Sequence, residues 1–348
     1  MAPLLLIFLR YSLTILDRLA PRWAGRLGYR LFTTPRSRRP IPSAVEGVMD
    51  RAERCPLEVS GKTLAAFRWS RPEAGPGAPV ALLVHGWESR AGRLAVWVDP
   101  LLDAGFQVVA FDALGHGESP GRRTNPGDFA LAIRALAEHW GPIHSLIGHS
   151  VGGFSSLLAV AGSPLLRGEN LDVRRMVVLA GAESGSAAMG YFCRILGLRP
   201  DFRQRMIDAA DEDLGHPLAA FDGHRIFRDF PVPTLWLHDP EDPEVPFSGA
   251  ETISRTCPHI RLQAVEGLGH HRIARDPAVI EMGVAFLSRA APGAQSSSQE
   301  DTRPGLAPGK PGLLLEALGI PMSWEEALSS SEWPAAPRPR KAPVPSGP

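Results

Sequence analysis

From Val80 onward the chain alternates short apolar runs with helical stretches, and no other feature limits its folding as strongly. The runs are Val80–Val84, Val108–Phe111, Ser145–Ile147, Met176–Ala180, Thr234–Leu237 and Ile260–Val265. Between them lie segments of helical periodicity such as Asp128–Trp140 and Gly152–Ala161. A short unbroken apolar run reads as a strand covered on both faces, whereas a strand with one wet face alternates. Strands that alternate with helices form a parallel sheet between two helical layers. Such sheets bind ligands at the carboxyl ends of their strands.

The flanks read differently. Residues 55–70 alternate and turn at Ser60-Gly61, as a hairpin does. Residues 184–230 carry helix-like pieces (Ala187–Leu198, Phe202–Leu214, Leu218–Phe227) and no strand. They read as a cap inserted over the sheet. Residues 1–39 read as a helical, basic extension with eight arginines and one acid, Asp17. Three fates are open to it: docking by its apolar face, lying on a membrane surface, or serving as an Arg-rich transit peptide. Residues 291–348 hold eleven of the 34 prolines and two Ser-Ser-Ser runs, the composition of a disordered tail. Within that tail, Gly312–Leu328 is a short apolar-acidic segment with helical character. The main domain is then expected over residues 40–290.

Composition removes several classes. Lys+Arg and Asp+Glu stand at 37 each, so no overall charge draws the chain to nucleic acid. Cys55, Cys193 and Cys257 form no C-x-x-C pair, which argues against a disulfide framework and a structural zinc site. A reducing, cytoplasmic location fits that usage, with membrane association added if residues 1–39 bind a surface. Met1–Ala20 is the most apolar stretch, but Arg10, Asp17 and Arg18 interrupt it, and its basic residues follow the apolar run rather than precede it. It reads neither as a membrane span nor as a secretory signal.

The chemistry centres on Gly148-His149-Ser150-Val151-Gly152, a G-x-S-x-G pattern between an apolar run and a helical stretch. A serine on a sharp strand-to-helix turn thrusts its hydroxyl above the sheet, and the helix dipole favours negative charge there. Serine needs a base, and the base needs a carboxylate to fix its tautomer. In α/β hydrolases, whose nucleophile turn this pattern resembles, the order along the chain is nucleophile, acid, base. His270 follows the last apolar run in Gly267-Leu268-Gly269-His270-His271, with His271 as its rival. The acid is expected after Thr234–Leu237, where Asp239, Glu241, Asp242 and Glu244 compete. Asp242, a short loop beyond the strand, is preferred. Glu183, after Met176–Ala180, is a separate alternative. Oxyanion donors are expected at the Val151 amide and, after Val80–Val84 in His85-Gly86-Trp87, at the Trp87 amide. His85 reads as a brace for that loop, and Asp112–Ser119 as scaffold.

Taken in order, His85-Gly86-Trp87, Asp112–Ser119, Gly148–Gly152, Asp242 with Val245-Pro246, and Gly269-His270 resemble the motifs of the α/β-hydrolase superfamily. The resemblance covers roughly residues 55–290 and departs at Asp239, where many relatives have Gly. It implies a three-layer α/β-hydrolase fold: a mostly parallel eight-stranded sheet with a helical cap, and no cofactor. A serine nucleophile sets the chain apart from relatives that use Asp or Cys. The expected function is cleavage of a small-molecule ester or thioester through an acyl-enzyme. Two alternatives are a lipid-acting or C–C bond hydrolase at a membrane surface, and a non-catalytic binding protein on the same fold. Met189, Phe192, Leu196 and Phe202 of the cap suggest an apolar acyl or alkyl group, although the same residues could simply pack the cap.

Overall fold

A computed structural model of the chain describes residues 3–75, 77–161, 171–229 and 231–289. The segment read as a Pro-rich tail, 291–348, lies outside the described residues. Eight strands form the main sheet: β1 (Glu53–Arg54), β2 (Ala66–Trp69), β3 (Val80–Val84), β4 (Gln107–Phe111), β5 (Ile143–His149), β6 (Arg175–Leu179), β7 (Thr234–His238) and β8 (Ile260–Ala264). Their spatial order is β1-β2-β4-β3-β5-β6-β7-β8. The pairs β1–β2 and β2–β4 are antiparallel, and every later pair is parallel. β3, β4, β6 and β7 are buried at every position, which is why they appear as unbroken apolar runs. β1 is two residues of Glu-Arg at the edge, both exposed, and carries no apolar signature. The expected hairpin is present as Leu57–Val59 paired with Lys62–Leu64. Its turn residues, Ser60 and Gly61, both take positive φ (50° and 74°), the conformation of a tight two-residue hairpin turn.

The longer helices are α1 (Pro3–Leu19), α2 (Pro21–Phe32), α3 (Pro126–Trp140), α4 (Val151–Ala161), α5 (Gly185–Ile195), α6 (Pro200–Leu214), α7 (Gly223–Asp229), α8 (Phe247–Thr256) and α9 (Pro277–Leu287). Asn125 starts α3 as part of a capping box with Asp128, and Pro126 takes the first helical position. α4 is buried almost throughout, against β5 and α3. α5, α6 and α7 fill the interval between β6 and β7, where the sequence led us to expect a cap. The third expected piece, Leu218–Phe227, divides into a 3-10 turn at Leu218–Phe221 and the short α7.

The N-terminal segment is two helices rather than one, broken at Ala20-Pro21. Pro21 can open a new helix but cannot continue the old one. The pair docks on the cap: α2 packs along α6, and Leu13, Ala24 and Tyr29 share an apolar cluster with Met189, Leu196, Phe202 and Met206. Gly25 makes the close approach work, since a Cβ there would stand 2.4 Å from the Arg205 carbonyl oxygen. Burial of each large side chain in this cluster contributes roughly 1.5–3 kcal/mol. Ion pairs of Arg205 with Asp17 (2.9 Å) and of Arg26 with Glu212 (2.8 Å) lie around it. The latter is exposed and contributes little.

Candidate active site

Strand register explains why distant residues meet. Val84 pairs with Gly148, His149 with Leu179, Leu179 with Leu237, and His238 with Ala264. The carboxyl ends of β3, β5, β6, β7 and β8 therefore finish in one row, and their loops leave on the same edge of the sheet.

Ser150 sits between β5 and α4 with φ of +54°, a left-handed backbone that costs energy for any residue with a Cβ. Packing holds it there. A Cβ on Gly152 would stand 2.3 Å from the Val84 carbonyl oxygen, and one on Gly86 would stand 2.7 Å from His149 Nδ1 and 3.2 Å from Ser150 Cβ. The glycines thus let the β3 loop press against the turn. A Gly152→Ala variant is expected to lose about 3 kcal/mol of stability, because the clash is with backbone rather than a movable side chain. Urea unfolding measures it; an unchanged midpoint would contradict the packing.

His270 lies on the short helix Gly269–Arg272 after β8 and is 5% exposed. Its Nε2 is 3.0 Å from Ser150 Oγ, and its Nδ1 is 2.8 Å from Asp242 Oδ2. The only arrangement that satisfies both contacts has Nδ1–H donating to the carboxylate and Ser150 donating to Nε2. Asp242 has a fully buried side chain. Burial works against its charge. Contacts with His238 and His270 and the Val245 amide outweigh burial and hold its carboxyl well below the usual range. Oδ1 accepts from the amides of Glu244 (2.7 Å) and Val245 (2.9 Å), which fixes the loop around it.

The other acids have other main partners. Glu244 pairs with His271 at 2.9 Å, and its second oxygen lies 3.8 Å from His270 Nε2 rather than at Nδ1. Glu183 lies 3.7 Å from His224 and lines the cavity that holds Ser150, but it does not pair with His270 among the described residues. Glu241 is exposed, and among the described residues the carboxylate hydrogen-bonded to His270 Nδ1 is that of Asp242. Asp239 is buried and bridges two loops, accepting from the Glu241 amide (2.9 Å) and from the Gly269 amide. Burial opposes its charge too, yet the amides of Gly269, Glu241 and Leu268 hold it below the usual carboxylate range. A residue that looked like a departure is thus a strut beneath the His270 helix.

Two supporting histidines escaped the sequence reading. His149 Nε2 donates to the His270 carbonyl at 2.7 Å, and burial drives its pKa down to about 3, so the ring stays neutral. His238 is buried behind Asp242, with Nε2 3.4 Å from Oδ2 and 3.1 Å from the Val245 carbonyl. A histidine within a strand or an x position carries no periodic signal, so only contact reveals it. His85 and His116 are braces: their Nε2 atoms accept from the amides of Ala113 and Glu88, each at 3.0 Å. Asp112 is fully buried and accepts from the Ala91 and Glu118 amides, so it ties the scaffold loop together. Among the described residues, His149, His270 and His271 are the one imidazole group close enough to share a metal ion. Nε2 of His149 and both ring nitrogens of His270 are already engaged, which leaves that trio poorly suited to one.

Above these groups lies a cavity of about 340 Å3 whose wall is mainly apolar. It includes Ser150, Val151, Trp87 and His270, the cap residues Met189, Phe192 and Phe221, and Phe154 and Leu158 of α4. Of the cap residues expected to face a substrate, Met189 and Phe192 do. Leu196 and Phe202 do not: they are buried where the cap meets α1 and α2. Tyr29, Phe32, Thr33 and Arg36 of the N-terminal segment also line the cavity, which the sequence did not foretell. Trp87 follows the close contact at Gly86, and its amide makes no hydrogen bond among the described residues. Val151 is the first residue of α4, so its amide has no acceptor within the helix.

The family model for the alpha/beta hydrolase family matches residues 81–281, more than half of the chain. The chain belongs to the alpha/beta hydrolase family. This hydrolase fold is 30% identical over 145 residues to monoglyceride lipase of Rattus norvegicus, covering 38% of this chain and 48% of the lipase. A monoglyceride lipase homolog of monkeypox virus is 30% identical over 107 residues, covering 28% and 38%. The chain thus spans about half the length, or less, of the curated relatives it matches. Among solved structures, an esterase of Pyrococcus furiosus superposes with a TM-score of 0.52 at 15% identity, covering 73% of this chain and 95% of that chain. An esterase of Exiguobacterium antarcticum gives 0.51 at 16% identity, covering 68% and 100%. At such identities the likeness is one of fold.

Proposed function

We propose that this chain is a serine hydrolase that cleaves a carboxylic ester or thioester through an acyl-enzyme. The observation that carries the reading is the unbroken relay from Ser150 Oγ through His270 to Asp242, at 3.0 and 2.8 Å. Ser150 Oγ attacks the carbonyl carbon while its proton moves to His270 Nε2. Asp242 stabilises the imidazolium, and the Trp87 and Val151 amides hold the oxyanion. Collapse breaks the bond to the leaving alkoxide or thiolate, which takes the proton from Nε2. Water then attacks the acyl-serine, gives a proton to Nε2, and the second collapse returns that proton to Ser150 Oγ and frees the acid. The apolar cavity favours an apolar acyl or alkyl group. The division into an N-terminal segment (1–39), a hydrolase domain (40–290) with a cap (184–230) and a tail (291–348) belongs to the same proposal.

A fluorophosphonate probe tests it. Wild type is expected to label and Ser150→Ala is not. Hydrolysis of 4-nitrophenyl esters of graded chain length then ranks acyl groups. An unlabelled wild type, or equal labelling of the variant, leaves a binding protein on a hydrolase fold.

A further inference from the structure

We infer that α1 and α2 form a docking surface for an anionic lipid membrane. α1 buries one face, around Leu13, against the cap. Its opposite face is apolar and uncovered: Ile7, Phe8, Tyr11, Ile15 and Leu19 are each half exposed or more, from 50% to 80%. Positions 7, 11, 15 and 19 recur every fourth residue, so they stack in one row along the helix. Phe8 extends that row on one side. α2 adds Trp23, 66% exposed. Monomeric soluble surfaces scatter large apolar side chains singly; here nearly all the large exposed ones fall on two adjacent helices.

Charge selects the occupant. Arg10, Arg18 and Arg30 are exposed and have no acidic partner among the described residues. Asp17, the sole acid of the segment, is spent on Arg205. Aromatic and aliphatic side chains flanked by unpaired arginines match the boundary between acyl chains and anionic headgroups. A second copy of this chain would bring the same arginines together and offer them no counter-charge. Among the described residues no helix is long and apolar enough to cross a membrane, so the helices lie along the surface.

The surface adjoins the cavity. Ile195 both lines the cavity and is 51% exposed, so it stands at the rim. The Arg10 guanidinium packs over Gly197, two residues further on. Docking therefore sets the rim against the phase that holds esters with apolar tails; this last step rests on the hydrolase reading.

The test uses the full chain, floated with vesicles of phosphatidylcholine alone or mixed with phosphatidylglycerol. Deleting the segment would remove cavity wall, so point variants are used. Wild type is expected to float with the mixed vesicles, and less so as salt is raised. Phe8→Ser, Tyr11→Ser and Ile15→Ser combined should lower the bound fraction about tenfold or more. These positions are solvent-exposed, and fluorophosphonate labelling at the wild-type rate verifies an intact fold. Arg18→Gln with Arg30→Gln should abolish the preference for phosphatidylglycerol. Failure of wild type to float, or flotation of the triple variant equal to wild type, overturns the inference. So does a dimer in sedimentation that the triple variant dissolves. Flotation without labelling would keep the surface and remove the hydrolase reading instead.

Discussion

Ser150→Ala and His270→Ala are each expected to lower kcat by about 10^4 to 10^6, and the double variant by no more than either single one. In the proposed mechanism the three groups act as one unit, so removing any part removes the relay. Asp242→Asn is expected to cost about 10^4 while leaving KM nearly unchanged. The reason is the hydrogen-bond arrangement. Asp242 Oδ2, 2.8 Å from Nδ1, can only accept, so the lone pair is forced onto Nε2 facing Ser150. An amide in its place can donate to Nδ1 and push the proton to the wrong nitrogen. Its loop would also lose an ionised acceptor for the Glu244 and Val245 amides. Steady-state kinetics on a soluble ester checks all four variants. Additive losses in the double variant would mean that Ser150 and His270 do not act together.

Stability is expected to fall by about 5 kcal/mol between pH 7 and pH 5, as buried histidines are exposed on unfolding. Burial drives His85 down to about 4 and His116 and His149 to about 3. In the unfolded chain each returns to about 6.5. A group whose folded value is depressed in this way lends stability in full above its unfolded value, and loses it as pH falls toward the folded one. Each contributes a slope of up to about 1.4 kcal/mol per pH unit across that window. Asp242, also held low, adds its loss only further into acid, below the unfolded carboxylate value of about 3.9. Asp112 and Asp128, pushed up mainly by burial, run the other way and soften the acid end. Melting temperature against pH measures the effect, and His116→Gln should flatten the limb by about a third. A flat profile from pH 7 to pH 5 would show that these rings are not held neutral.

The local signals were strong where one residue's role depends on its immediate neighbours. Five of the six apolar runs match strands to within one residue at either end, because a strand covered on both faces must be apolar along its whole length. The Ser145–Ile147 run also lies within its strand, which extends two residues further each way to reach His149. The Ser150 turn was legible because its glycines are demanded by backbone contacts a few residues away. β1 was illegible, since two exposed edge residues need no pattern.

What the sequence by itself determined is the alternation of strands and helices, the turn that carries Ser150, and a short roster for acid and base. Tertiary structure brings particular members of that roster into contact: His270, rather than His271, lies within hydrogen-bond distance of Ser150 Oγ, and Asp242 lies against its Nδ1. Those choices turn on differences of a few ångströms between side chains nearly 30 residues apart in the chain, and no local pattern encodes them. Tertiary structure also turned Asp239 into a strut, hid Leu196 and Phe202 beneath the N-terminal helices, and made residues 29–36 part of the cavity wall. An amphipathic helix announces that it has an apolar face. Which partner covers that face is fixed only by what the rest of the chain leaves open.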